Sequence, residues 1–239
     1  MKTIIVKVVV SACLVLSALS GCTSSKSFSA GSVQAANKLQ KDLKGEYEEL
    51  FSENTLLNPK WDSLWIAECK KYVGAQSAES AAASLKLSMS GTLTGPEATD
   101  RFGDGSDGWV NGFQFDCGFK NGVDRFVFDG KSGIKGLDVS GREVFSHKYA
   151  FDSYNPDLDF YVYKSEDANQ DEFTYFAMRS DSPEATHHIE FRYGTDIQLL
   201  NKFCTGKYAY WVAAGVLCGS DSEQQEAISL FVKENLEQQ

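Results

Sequence analysis

The 239 residues contain only three histidines, at positions 147, 187 and 188, so imidazole chemistry has few places to occur. Two of them open the segment Thr186-His187-His188-Ile189-Glu190-Phe191-Arg192-Tyr193-Gly194. In an extended strand successive side chains alternate, which puts His188, Glu190 and Arg192 on one face and His187, Ile189, Phe191 and Tyr193 on the other. The second face is apolar and has to pack, and His187 belongs to that packing. The first face sets an imidazole beside a carboxylate, within reach of a single ion. The same face could instead close on itself: Arg179 or Arg192 could pair with Glu190, because a guanidinium stays charged and has no lone pair to offer a metal.

Other patterns carry less chemistry. Asp104-Gly105-Ser106-Asp107-Gly108 lacks the alternating ligands and terminal Glu of a calcium loop and reads as a turn. No Ser-His-Asp order, nucleophile elbow, phosphate loop or H-E-x-x-H pattern occurs, so the chain is not expected to be an enzyme. Its 33 acidic and 23 basic residues leave a formal charge of −10 at pH 7. Such a field repels phosphate backbones and argues against a nucleic-acid partner.

The N-terminus addresses the compartment. Lys2 and Lys7 precede an apolar run from Val8 to Leu19 that is too short to span a bilayer, which is the pattern of an export signal. The run ends in Leu19-Ser20-Gly21-Cys22, which resembles a bacterial lipobox. Residues 1–21 are therefore expected to be removed and Cys22 lipidated, giving a membrane-anchored, extracytoplasmic protein of a bacterial cell envelope. Disulfides persist there, and Cys69, Cys117, Cys204 and Cys218 are the candidates. Four cysteines allow three connectivities; Cys204 with Cys218 closes a short loop and leaves Cys69 with Cys117 as the complement.

These residues need elements to position them. After a small, polar tether over 22–33, the stripe Ala36, Leu39, Leu43, Tyr47, Leu50 predicts an amphipathic helix and linker over 34–57. The main domain is expected over 58–239. Asn58-Pro59 is a helix start, with Trp61, Leu64, Trp65 and Ile66 supplying a buried face as far as Gly74, and an Ala-rich helix follows from Ser77 to Ser90. Segments near 109–119, 123–129, 134–139, 143–151, 158–164, 172–179 and 186–193 are rich in Phe, Tyr, Val and Ile and are separated by turn formers. Strands at hairpin spacing predict a closed antiparallel sheet, because closure removes the exposed edges. Helical patterning returns at 196–203 and 222–236. Tyr208, Tyr210 and Trp211 between them read as core or rim.

His188-Ile189-Glu190-Phe191-Arg192-Tyr193-Gly194 resembles the His-x-His-Phe-Arg-Tyr-Gly strand of the ZinT family of exported zinc-binding proteins. Trp61-Asp62-Ser63-Leu64-Trp65 resembles that family's Trp-Asp-x-x-Trp helix. His147 through Tyr154 resembles its Lys-Tyr-x-Tyr-Asp-Gly-Tyr strand, and Gly194-Thr195-Asp196 with Tyr208-Ala209-Tyr210-Trp211 the segment after the metal strand. The resemblance covers roughly Asn58 to Leu236. It implies a mainly β (α+β) fold, an antiparallel lipocalin- or calycin-like barrel with flanking N- and C-terminal helices. It further implies Zn2+ as the bound ion, and capture or delivery to the binding protein of a metal-uptake ABC transporter. The family holds zinc with three histidines; here His188 matches one, Glu190 stands at the second, and Arg179 falls at the third by counting back. The implied ligand set is therefore His188, Glu190 and one of Asp181 or Glu184. A metal-free barrel that binds an apolar small molecule or a partner protein is the alternative.

Overall fold

In the structure, a computed structural model, residues 29–90, 119, 121–156, 159–168, 170–180, 188–198, 200 and 213–237 are described. Eight strands form one closed antiparallel barrel in which every strand pairs with its neighbours in sequence and β1 closes on β8. They are β1 Gly45–Glu49, β2 Arg125–Phe128, β3 Gly133–Leu137, β4 Glu143–Asn155, β5 Phe160–Ser165, β6 Tyr175–Ser180, β7 Ile189–Gly194 and β8 Ala213–Leu217. Helix α1 (Val33–Asp42) precedes the ring, α2 (Asp62–Val73) and α3 (Ala78–Ser90) lie between β1 and β2, and α4 (Asp221–Leu236) follows β8. The barrel with flanking helices is the fold class expected from the sequence. No helix among the described residues is long and apolar enough to cross a membrane.

The aromatic residues that mark the strands fill the ring. Phe126, Phe145, Tyr149, Tyr163, Phe176, Met178, Ile189 and Phe191 are buried in one cluster. Phe126 alone touches the rings of Phe119, Phe145, Phe176, Phe191 and Tyr193 at centroid distances of 4.8–6.0 Å. Rings this large need small neighbours. A Cβ on Gly136 would stand 2.6 Å from Phe145, and one on Gly215 would stand 3.3 Å from both Phe119 and Tyr47. The barrel is thus a packed core.

A second core lies outside the ring. Trp61, Trp65, Cys69, Ala82, Leu85, Ile228 and Val232 of the helices pack with Ala214 and Val216 of β8. Asn58 starts this layer as expected: its side chain accepts from the Lys60 N–H, Pro59 follows it, and α2 ends at Gly74 with φ +74°. The indoles are buried with partners, Trp61 Nε1 donating to Gln224 Oε1 and Trp65 Nε1 to the Leu56 carbonyl, each at 2.8 Å.

Two expectations about the elements are corrected. The stripe from Ala36 to Leu50 is not one helix: α1 ends at Asp42, and Gly45 begins a barrel strand whose Tyr47 points into the ring core. The barrel therefore starts before residue 58, and α1 caps it, Leu43 and Ala36 joining the same core. Strand β8 carries no alternating signal because both its faces are covered, Ala213 by the ring core and Ala214 and Val216 by the helices. The strand expected near 109–119, the turn at 104–108 and Tyr208, Tyr210 and Trp211 fall outside the described residues, Phe119 excepted.

Candidate functional site

Connections between consecutive antiparallel strands alternate between the two ends of the barrel. The last residue of β6 and the first of β7 lie at the same end as the β2–β3 turn; Asp181, Glu184 and His187, between them in sequence, are outside the described residues. His188 immediately precedes β7. The alternation expected for β7 holds: Ile189 and Phe191 are fully buried in the ring core with Tyr193 packed against them, while Glu190 and Arg192 take the outer side.

Register decides what Glu190 meets. In the β6–β7 ladder Glu190 is the direct partner of Arg179, and on its other side it pairs with Ala214 of β8. Nε and Nη2 of Arg179 both reach Oε2 of Glu190. The Glu190 side chain is 19% exposed and that of Arg179 31% exposed, so the pair is shielded from bulk water. The guanidinium also sits 5.2 Å from the centroid of the Phe160 ring, with Val162, Ala177 and Leu200 in the same apolar patch. Of the two pairings open in the sequence, the structure makes the one with Arg179.

The donor types of His188 and Glu190, one imidazole nitrogen and one carboxylate two residues apart in the sequence, fit a divalent ion. The ion would have to take the carboxylate from Arg179. Among the described residues no group of three His, Cys, Asp or Glu could hold a metal.

The remaining candidates separate. Cys69 is buried among the helices and Cys218 is half-buried at the end of β8, and both are free thiols in the structure. Burial raises both, to about 11 for Cys69 with Glu68 adding, and to about 12 for Cys218 with Glu48 and Glu46 adding. Cys22, Cys117 and Cys204 lie outside the described residues.

One polar cluster was not foreseen. His147 faces inward from β4, its ring 5.4 Å from that of Phe145. Its Nδ1 lies 2.5 Å from Asp167 Oδ2 and its Nε2 lies 2.9 Å from Asp171 Oδ2. The carboxylates stand on opposite edges of the ring, so one ion could not reach both and either nitrogen of the imidazole together. The cluster fastens the β5–β6 connection, whose Phe173 stacks on Phe145 at 3.9 Å and accepts a hydrogen bond from the Tyr149 hydroxyl through its carbonyl. That connection is at the opposite end of the barrel from His188.

No family model and no curated protein matches the chain. Among solved structures it is similar to the Zn(II)-bound ZinT-like domain of Streptococcus pneumoniae AdcA, at 11% identity and a TM-score of 0.47, over 81% of this chain and 89% of that domain. It is likewise similar to Zn(II)-bound AdcA from the same organism, at 11% identity and a TM-score of 0.47, over 87% of this chain. The match spans 40% of that longer protein.

Proposed function

We propose that this chain is a lipid-anchored protein of a bacterial cell envelope that binds a divalent cation, zinc first, and supports its capture or its delivery to an uptake transporter. Coordination is reversible and no bond chemistry takes place. The reading is carried by one observation: His188 enters the strand on which Glu190 takes the outer side, in the segment that resembles the ZinT metal strand. His188 supplies nitrogen, Glu190 oxygen, and Asp181 or Glu184 a further carboxylate. The lipobox-like Leu19-Ser20-Gly21-Cys22 supports the anchor.

Metal content of the untagged mature protein, measured by mass spectrometry after purification without chelator, tests the reading. Near-stoichiometric zinc in the wild type and its loss in His188→Ala are expected; equal, trace zinc in both would refute it. The anchor has its own test, since Cys22→Ala should abolish labelling by a fatty-acid analogue.

The Arg179–Glu190 pair favours a second reading, a barrel without metal. With Phe126, Phe176 and Phe191 filling the ring, the ligand of such a barrel would be a partner protein on its outside.

A further inference from the structure

We propose that Arg179 is the resident counter-cation of Glu190 and sets how tightly this site holds a divalent ion. The inference rests on the metal-binding reading above. It deepens that reading by assigning a role to a residue that cannot itself be a ligand.

The position is fixed by the backbone. Arg179 and Glu190 are direct partners in the β6–β7 ladder, flanked in register by Met178 with Phe191 and Ser180 with Ile189, so the paired strands hold the two side chains' points of attachment opposite each other. Phe191 and Ile189, pointing the other way, are locked in the ring core. The guanidinium reaches the carboxylate through two nitrogens and has the Phe160 ring beside it. Partial burial on both sides keeps the attraction above that of a solvent-exposed pair.

Two consequences follow from the chemistry of arginine. A guanidinium keeps its charge throughout the accessible pH range, so Arg179 does not give up Glu190 by losing its own proton; a competing cation displaces it. A dication carries twice the charge and gains His188 as well, so it can displace Arg179, but only by giving up part of its binding energy to break the pair. The site then fills when the ion is abundant and empties when it is scarce. Its affinity belongs to a protein that exchanges its ion, not to one that sequesters it.

The test is calorimetric titration of the mature, chelator-stripped protein with zinc alone. Arg179→Gln should bind about tenfold more tightly than the wild type, about 1.4 kcal/mol. The same substitution in a Glu190→Gln background should change nothing, because the carboxylate being competed for is gone. Arg179→Lys keeps the charge but loses the two-nitrogen contact and should fall between. It also serves as the informative variant if Arg179→Gln fails to fold. Equal or weaker binding by Arg179→Gln and Arg179→Lys, with wild-type binding still dependent on His188, would overturn the role of Arg179 and leave the metal site standing. Absence of zinc binding in the wild type and in every Arg179 variant would remove the site itself, and the pair would then be purely structural.

Discussion

The Tyr163 hydroxyl donates a 2.8 Å hydrogen bond to the carbonyl oxygen of Ala36, joining the interior of the barrel to the helix that precedes it. Both residues are fully buried, and burial holds the phenol far above its ordinary range. Tyr163→Phe keeps the ring and removes only the donor. It should cost about 1 kcal/mol in urea unfolding and raise hydrogen exchange in α1 more than in the strands. Uniform exchange across the molecule would mean that the bond does not secure the helix.

Phe126 sits among five aromatic rings, so its loss cannot be repaired by one neighbour moving. Phe126→Ala should destabilise the protein by roughly 3–5 kcal/mol, and Phe126→Leu by much less, as judged by denaturant midpoints. Adding bulk should do comparable harm from the other side: Gly215→Val would press on Phe119 and Tyr47.

Removing the His147 ring leaves Asp167 and Asp171 facing each other's charge without the group between them. His147→Ala should cost about 1–3 kcal/mol, and protease cleavage should increase within the β5–β6 connection. If zinc affinity changes little in this variant, the two ends of the barrel act independently.

Alkaline behaviour follows from the thiols and from Tyr47. Folding raises Cys69 to about 11, and both Cys218 and Tyr47 to about 12, in each case mainly by burial. Between the ordinary values of about 8.5 for Cys and 10 for Tyr and the raised ones, the unfolded chain is ionised while the folded one keeps its protons. Their contribution to stability is therefore complete below about pH 8.5 and is lost as pH rises toward 11–12. Urea midpoints should decline over that interval. Iodoacetamide should label Cys69 and Cys218 at pH 8 far more slowly in native than in unfolded protein; equal rates would contradict their burial.

Much of the architecture was readable because strands announce themselves by period. The alternation at Ile189 through Tyr193 separated the buried face from the polar one correctly, since a pleat of period two leaves no other arrangement. Whether Glu190 would meet an ion or Arg179 was not readable. It depends on register across a connection whose length alone does not say which residue of β6 stands opposite. Tyr47 and Leu50 extended the spacing of Leu39 and Leu43, so a strand was hidden inside a helical pattern until Gly45 turned the chain. His147 was overlooked because its partners lie 20 and 24 residues away on a connection with no pattern of its own.

The ring closes where Tyr47 pairs with Leu217 and Glu48 with Val216, bringing the earliest strand against the last. A nascent chain emerging N-terminus first holds β1 without one of its two neighbours until almost all of it has been made. A polypeptide truncated before Ala213 keeps seven strands, but with open edges on β1 and β7 and without Val216 to meet the helices. Such a fragment offers two unpaired backbones to any other strand nearby. A protease that trims unpaired edges would therefore distinguish a finished molecule from one interrupted before β8 by this seam.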